Sequence, residues 1–123
     1  MKMLFVEDNH DLGTNLFDYF EERGNSVDLA HEGNAGLQLA LTNHYDVIVL
    51  DWMLPNIDGI TMCKKLRDAG NNTPIMMLTA RDSSEDKIVG LEAGVNEYVV
   101  KPFLMRDVEL RCLQLLRTRE QGI

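Results

Sequence analysis

Long hydrophobic runs are absent from the sequence, and so is the apolar beginning of a secretory signal. No unbroken apolar stretch approaches the roughly 20 residues that a helix needs to cross a bilayer. The chain starts MKMLFVEDNH, which places acids where a signal peptide would continue its apolar core. We therefore expect a protein that has no membrane anchor and stays in the cytoplasm.

Cysteine is scarce, and its two occurrences form no recognisable site. Cys63 and Cys112 show no CxxC spacing and no nearby pair of histidines, which argues against a zinc site or a dithiol redox motif. Both fall within helix-like segments. We interpret them as reduced thiols that pack in the interior.

Basic residues are also few, since 12 lysines and arginines stand against 20 aspartates and glutamates. The resulting negative charge opposes direct binding to a nucleic acid backbone, because that affinity comes from cationic side chains that displace counterions. Contact with DNA would therefore need another domain. Neither GxGxxG nor GxxxxGK occurs, which excludes the common nucleotide-binding loops.

The chain does contain a regular alternation of two periodicities. Its 123 residues, 45% of them hydrophobic and 26% charged, have the size and composition of one globular domain. Short apolar runs alternate with longer segments of helical period, which predicts five βα units and a parallel sheet covered on both faces. The predicted strands are residues 3–6, 27–30, 47–50, 75–78 and 98–100.

Two of the intervening segments show clear helix boundaries. In the first, DLGTNLFDYFEERG, an apolar stripe of helical spacing is followed by a stop signal at Gly24. The fourth begins at DSSE, where Asp82 and Glu85 have the spacing of a capping box. We predict that this helix ends at Gly94.

Polar side chains follow four of the five apolar runs. Glu7 and Asp8 follow the first, Asp51 the third, Thr79 the fourth and Lys101 the fifth. The carboxyl ends of parallel strands lie along one edge of the sheet, where open α/β folds bind ligands, so these residues can converge. Taken singly, Asp8, Asp51 or Thr79 is explained equally well as the N-cap of the next helix.

Three carboxylates at one edge repel one another unless a cation neutralises them. Magnesium suits such a site, because it binds one or two protein carboxylates and leaves positions free for a phosphate oxygen, whereas calcium requires a fuller oxygen cage. Lys101 can balance the oxygens that gain charge during phosphoryl transfer. Asp51, at the end of the central strand, is the candidate nucleophile and would form an acyl phosphate.

Four motifs occur in order along the chain, namely VEDN, VLDWMLPNIDG, MLTAR and EYVVKPF. With these motifs the sequence resembles the receiver domain of two-component response regulators over nearly its whole length. The resemblance implies an α/β fold with a doubly wound, five-stranded parallel sheet of order 2-1-3-4-5, a flavodoxin-like arrangement. It also implies a receiver domain over residues 1–119, in which Asp51 takes a phosphoryl group from the phosphohistidine of a sensor histidine kinase.

The same resemblance assigns the metal site and the lysine. Asp8, Asp51 and the backbone carbonyl of Met53 would bind Mg2+, and Glu7 would act mainly through a water molecule. Lys101 would pair with the phosphoryl oxygens.

A two-state switch is implied as well. The hydroxyl of Thr79 would move onto the new phosphoryl group, and Tyr98 would swing inward into the vacated space. The peptide between Lys101 and Pro102 is expected to be cis. Such a protein is a phosphoacceptor switch and not an enzyme, although it assists its own phosphotransfer and slow dephosphorylation.

The stretch TARDSSEDKIVGLEAGVNEYVVKPF is similar to the OmpR/PhoB-type subfamily of transcription regulators, which carry a winged-helix output domain. That subfamily dimerises through the fourth helix, fifth strand and fifth helix. The similarity implies a homodimer on phosphorylation, DNA binding only through a missing C-terminal domain, and residues 120–123 as the start of a linker. The positions matching the dimer face are Lys87, Leu91, Glu97, Asp107 and Arg111.

In that subfamily Lys87 would pair with Asp107, and Glu97 with Arg111, between subunits. The chain departs from the pattern at Asn96, where an acid is usual, and at Leu113, where a basic residue is common. One or more of the ion pairs is therefore expected to be missing. Exposed pairs contribute only about 0.2–1 kcal/mol each, so we still expect dimerisation. The alternative is that these charges form a solvated face.

Three other functions fit the sequence less well. A haloacid-dehalogenase-type phosphatase needs a second aspartate two residues after the nucleophile, where this chain has Met53. A flavodoxin needs a first loop that accepts a phosphate, whereas EDNHD repels an anion. A stand-alone or degenerate receiver that acts as a protein-interaction module would normally have lost an acid or the lysine, and none is lost here.

The remaining conspicuous side chains receive structural interpretations. Trp52 follows Asp51 directly, and strand alternation points it to the opposite side, as a packing residue or an aromatic at the edge of the site. His10, His31 and His44 match no catalytic position, and we expect all three at the surface.

Overall fold

The computed structural model describes residues 1–121, which form five βα units in a single sheet. The strands are β1 (Lys2–Val6), β2 (Ser26–Ala30), β3 (Val47–Leu50), β4 (Ile75–Thr79) and β5 (Glu97–Val100). The helices are α1 (His10–Glu22), α2 (Gly33–Thr42), α3 (Gly59–Asp68), α4 (Ser84–Ala93) and α5 (Met105–Glu120). All strand pairs are parallel and the order is β2-β1-β3-β4-β5, which confirms the predicted fold.

The sheet separates two apolar layers. Alternate strand residues contact α2, α3 and α4 on one face and α1 and α5 on the other. Every residue of β3 and β4 is buried, which explains why these strands read as continuous apolar runs and not as an alternating pattern. The sheet is therefore covered on both faces, as the sequence predicted.

The ends of the helices follow local capping chemistry, with one correction. The N-cap of α4 is Ser83, whose hydroxyl accepts a hydrogen bond from the Asp86 N–H at 3.0 Å. The predicted capping box at Asp82 and Glu85 is therefore wrong by one residue, because DSSE offers two adjacent capping side chains and the hydroxyl takes the position. Gly94 ends the helix with a φ of 108°, as predicted.

Two further predictions concern the ends of the chain and its cysteines. Helix α5 includes Glu120, and residues 122 and 123 of the predicted linker lie outside the described residues. Cys63 and Cys112 are buried and unpaired, as expected of packing thiols, and burial raises the pKa of Cys112 to about 12. Over the described part of the chain, no helix has both the length and the apolar character of a membrane span.

The guanidinium of Arg67 joins three backbone segments at the end of the sheet remote from the acids. Its Nη1 donates to the carbonyls of Asn71 and Thr73, both at 2.8 Å. Its Nη2 donates to the Gly94 carbonyl at 2.9 Å and to Asn96 Oδ1 at 3.0 Å. The Asn96 oxygen also accepts from the Ile75 N–H at 2.8 Å. The Arg67 guanidinium therefore holds together the chain segments that lead into β4 and β5.

Replacement of Arg67 by Met should lower the free energy of unfolding by about 2–3 kcal/mol, because it leaves several carbonyl oxygens without a donor. The control is Arg106→Met, whose side chain is 76% exposed and lies 4.0 Å from Glu109. It should change stability by less than about 0.5 kcal/mol. Urea denaturation measures both values, and equal losses would show that the Arg67 bonds do not stabilise the fold.

Candidate phosphorylation site

The loops at the carboxyl edge of the sheet bring together the polar residues that the sequence placed there. Glu7 and Asp8 follow β1, Asp51 follows β3 and Lys101 follows β5, while Thr79 is the last residue of β4. One carboxylate oxygen from each of Glu7, Asp8 and Asp51 lies within 4.8 Å of the others. The predicted convergence is therefore present.

The three carboxylates differ in their exposure to solvent. Glu7 is 3% exposed and Asp51 is 6% exposed, whereas Asp8 lies at the surface. Asp8 lines a cleft of about 480 Å³ together with residues of the β3–α3 loop. The two buried acids therefore form the floor of the site, and Asp8 stands at its opening.

Lys101 partly neutralises the two buried carboxylates. Its Nζ donates to Glu7 Oε1 and to Asp51 Oδ2, each at 2.7 Å. Burial alone lowers the pKa of Lys101, but the hydrogen bonds to the two carboxylates outweigh it, so the pKa is raised and the ammonium form is retained. Burial raises the pKa of Glu7, and the opposing hydrogen bond from Lys101 does not fully offset this desolvation.

The backbone around Asp51 leaves its carboxylate little freedom. Its N–H donates to the Val6 carbonyl at 3.1 Å, and its Oδ1 accepts from the Met53 N–H at 3.1 Å. Gly59, at the start of α3, packs against the Asp51 carbonyl so closely that a Cβ there would lie 2.2 Å from that oxygen. Only glycine allows this approach, which folds the loop back over the strand end.

The donor set fits a hard divalent cation. Three carboxylates face one lysine, which leaves negative charge in excess, and carboxylate oxygens are preferred ligands of Mg2+. Asp8, Asp51 and Glu7 are the residues that could hold such an ion. The predicted role of the Met53 carbonyl stays a prediction, although Met53 lies in the loop that lines the same cleft.

Thr79 and Tyr98 meet at the backbone of Arg81 in the β4–α4 loop. Thr79 is fully buried, and its hydroxyl accepts from the Arg81 N–H at 3.4 Å. The half-buried Tyr98 donates its hydroxyl to the Arg81 carbonyl at 2.7 Å. Gly90 of α4 makes room for the Tyr98 ring, since a Cβ there would lie 3.0 Å from Cδ2.

The peptide between Lys101 and Pro102 is cis, as predicted.

Arg81 is a residue of the site that the sequence did not reveal. Its guanidinium lies over the Trp52 ring, 4.2 Å from the centroid, and its Nη2 pairs with Asp86 at 2.9 Å. Trp52 packs against the core and also lines the cleft beside Asp8, so it is both a packing residue and an aromatic at the edge of the site. The motif MLTAR places Arg81 near Thr79 but carries no signal for its contact with Trp52.

The histidines divide into two groups. His44 and His10 are exposed, as expected, but His31 is half-buried, and its Nδ1 lies 3.0 Å from the Glu7 carbonyl oxygen. The His10 ring stacks on the His31 ring, with 3.9 Å between centroids and 14° between planes. The interpretation of all three as surface residues was thus incomplete for His31.

The predicted dimer face lies on α4, β5 and α5. Arg111 bonds to Asp107, with 3.1 Å from Nε to Oδ1, and also contacts Glu97, both within the same chain. Leu91 is 55% exposed on α4, and Lys87 is exposed nearby. Pairing between subunits stays a prediction.

The two departures from the subfamily pattern lie in different surroundings. Asn96 directs its oxygen to Arg67 and to a backbone N–H, and so serves the fold. Leu113 is exposed on α5, at 39%. Both residues are exposed, so each departure changes the chemistry of the surface, and Asn96 serves the fold as well.

Known proteins of similar sequence and structure identify the family and the fold. A family model described as the response regulator receiver domain matches residues 3–112. The transcriptional regulatory protein DltR of Streptococcus agalactiae is 39% identical over 123 residues, covering 100% of this chain and 54% of that protein. The chain spans about half the length of the curated relatives it matches, which include OmpR/PhoB-type response regulators.

Solved structures agree with this match. The receiver domain of the Francisella response regulator 1452 is 40% identical, with a TM-score of 0.92, covering 96% of this chain and 98% of that one. The receiver domain of the sensor histidine kinase PA1611 of Pseudomonas aeruginosa, solved with magnesium in its active site cleft, is 30% identical. Its TM-score is 0.85, covering 94% of this chain and 96% of that one. With its parallel sheet and acidic edge, the chain belongs to the receiver domain family of two-component response regulators.

Proposed function

We propose that this chain is a phosphorylation-activated switch in which Asp51 accepts a phosphoryl group from the phosphohistidine of a sensor histidine kinase. One observation carries the proposal: the Asp51 carboxylate is held at a strand end by Lys101 and the Met53 N–H, beside the carboxylates of Glu7 and Asp8. If Asp51 had only a structural role, the ion pair with Lys101 would be enough to neutralise it. The additional acids serve a reaction that brings a cation and a phosphoryl group together.

In the proposed transfer a carboxylate oxygen of Asp51 forms a bond to phosphorus, and the phosphorus–nitrogen bond of the donor breaks. The electron pair of that bond stays on the donor imidazole. Lys101 balances the charge on the equatorial oxygens of the phosphoryl group. The restricted Asp51 carboxylate supplies orientation, which lowers the barrier because the nucleophile does not have to be positioned during the reaction.

We propose Mg2+ as the cofactor, bound by Asp8, Asp51 and the Met53 backbone carbonyl, with Glu7 acting through a water molecule. When bound, the ion supplies positive charge for the phosphoryl oxygens. The excess of carboxylates over cations and the magnesium reported for the similar PA1611 receiver domain support this assignment. The exposed Asp8 at the cleft gives an ion a route to the buried acids.

The proposed switch acts through the β4–α4 loop. Movement of the Thr79 hydroxyl toward a phosphoryl group on Asp51 would release the Arg81 N–H, and Tyr98 would lose its present partner if the Arg81 carbonyl moved with it. Because α4 begins three residues after Arg81, the change reaches the face formed by α4, β5 and α5. Inward movement of Tyr98 is part of this proposal.

The proposed output is dimerisation through that face, followed by transcriptional control through a DNA-binding domain elsewhere in the full protein. Exposed apolar side chains on α4, Ile88 and Leu91, provide the apolar centre of such an interface. The name of DltR as a transcriptional regulatory protein, and relatives about twice as long as this chain, support the attached domain.

Incubation with Mg2+ and acetyl phosphate should add one phosphoryl group to the wild-type chain, measured as intact mass. Asp51→Asn should show no gain, because an amide is not a nucleophile for this reaction. Asp68→Asn, which changes an exposed acid of α3, is the control and should gain one group. An unchanged wild-type mass, or an equal gain in Asp51→Asn, would exclude the proposed phosphoacceptor.

Lys101→Met should lower the free energy of unfolding in metal-free buffer by about 1–2 kcal/mol, because two buried carboxylates lose their counter-charge. Addition of Mg2+ should then stabilise this variant more than the wild type, since the ion replaces the missing cation. Lys64→Met alters an exposed lysine and should behave as wild type. Urea denaturation with EDTA or with Mg2+ gives the four values, and an equal Mg2+ effect in both proteins would contradict the charge balance.

For dimerisation, sedimentation velocity with beryllofluoride should show a shift toward dimer in the wild type. Leu91→Glu should weaken the dimer about tenfold or more, because it places a charge at the apolar centre of the face. Leu41→Glu is the matched control, since Leu41 is 50% exposed on α2 and Leu91 is 55% exposed on α4. Equal weakening by both changes, or a monomer under all conditions, would rule out this interface.

A further inference from the structure

The peptide unit between Glu7 and Asp8 is the backbone element that presents two of the three site acids. Glu7 is anchored before this peptide, because its N–H donates to the Ala30 carbonyl at 2.9 Å. Its side chain is anchored too, by Lys101 through Oε1 and by the Asn9 N–H, 3.1 Å from Oε2. Glu7 is therefore held by several contacts.

Asp8 has no comparable support. Within residues 1–121 its carboxylate accepts no hydrogen bond, although it lies within 4.8 Å of the two other acids. Repulsion between like charges pushes this exposed carboxylate outward. The planar Glu7–Asp8 peptide sets the position of the Asp8 Cα, and rotations about φ, χ1 and χ2 of Asp8 then direct its carboxylate. A fixed peptide therefore narrows the positions that this carboxylate can reach.

His31 makes the contact that fixes this peptide. Its Nδ1 lies 3.0 Å from the Glu7 carbonyl oxygen, which belongs to the peptide in question. A carbonyl only accepts, so Nδ1 carries the hydrogen and donates. The bond joins the end of β1 to the residue that follows β2.

The His31 ring is itself held in place. The His10 ring, on the first residue of α1, stacks on it at 3.9 Å. Gly13, one turn along α1, lies close to the ring, since a Cβ there would be in ordinary van der Waals contact with His31 Cε1 at 3.7 Å. The two stacked rings thus connect the Glu7 carbonyl, at the start of the β1–α1 loop, to the first residue of α1.

We propose that His31 is a positioning residue for the metal site, donating from Nδ1 to the Glu7 carbonyl so that the Asp8 carboxylate stays beside those of Glu7 and Asp51. His10 keeps the ring oriented by stacking. Neither imidazole is a ligand, because over the described residues the only metal-competent group of three or more side chains is formed by the acids. The inference rests on the proposed magnesium-dependent function.

Titration with Mg2+ tests the proposal, followed by the fluorescence of Trp52, the single tryptophan, which lines the same cleft as Asp8. His31→Leu should weaken Mg2+ binding about fivefold, the usual effect of one lost hydrogen bond. His31→Asn retains an N–H near the position of Nδ1, so its affinity should return to within about twofold of wild type. His44→Leu changes an exposed histidine that precedes β3, whereas Asp51 follows that strand, and it should leave the affinity unchanged.

The rescue by Asn separates positioning from general packing, since both changes remove the imidazole ring but only Leu removes the donor. Wild-type affinity in His31→Leu, or equally weak binding in His31→Asn, would overturn the proposal. Amide hydrogen exchange without metal provides a second measurement, in which exchange at Asp8 and Asn9 should be faster in His31→Leu than in His31→Asn. Equal exchange in the two variants would also count against it.

Failure of the proposed magnesium-dependent phosphorylation can be told apart from failure of the His31 proposal. If wild-type protein shows no Mg2+ response and gains no phosphoryl group, the proposed function is lost. The metal-free exchange comparison still decides whether His31 holds the loop.

Discussion

Strands buried on both faces cannot hold an uncompensated charge, and the arrangement of this molecule depends on that constraint. An isolated ionised group inside β1 or β3 would cost several kcal/mol or more, so the acids lie just beyond the strand ends. There Lys101 lies 2.7 Å from both Glu7 and Asp51, residues 94 and 50 positions away in the chain. The parallel sheet brings these distant residues to one edge, and the single lysine leaves enough negative charge to favour a cation.

The surroundings of the site connect it to the helical surface. Backbone atoms of Arg81 bond to Thr79 and Tyr98, while its side chain joins Trp52, beside Asp51, to Asp86 in the first turn of α4. A change at the phosphoacceptor and a change in the position of α4 therefore involve the same short loop. Under the proposed function, this loop connects chemistry to output.

Comparison of sequence and structure shows where local patterns suffice. The strands were predictable because short apolar runs are typical of strands in a sheet that is covered on both faces. The end of α4 at Gly94 was predictable because few residues other than glycine adopt a positive φ. The N-cap of α4 was missed by one residue because Asp82 and Ser83 are both good caps. The effect of Asn96 on a dimer contact stays a prediction, and its bonds to Arg67 and to a backbone N–H are ones that no local pattern indicates.

The sequence by itself determined the five βα units, the acids, hydroxyl and lysine at the strand ends, and through motif resemblance the strand order and the candidate phosphoacceptor Asp51. Tertiary structure decided which oxygens Lys101 bonds, how Arg81 lies on Trp52, and that His31 contacts the Glu7 carbonyl from 24 residues away. The reason is physical. Apolar period and capping residues act over a few positions and are written in the sequence, whereas a bond to a distant backbone atom depends on how whole elements pack.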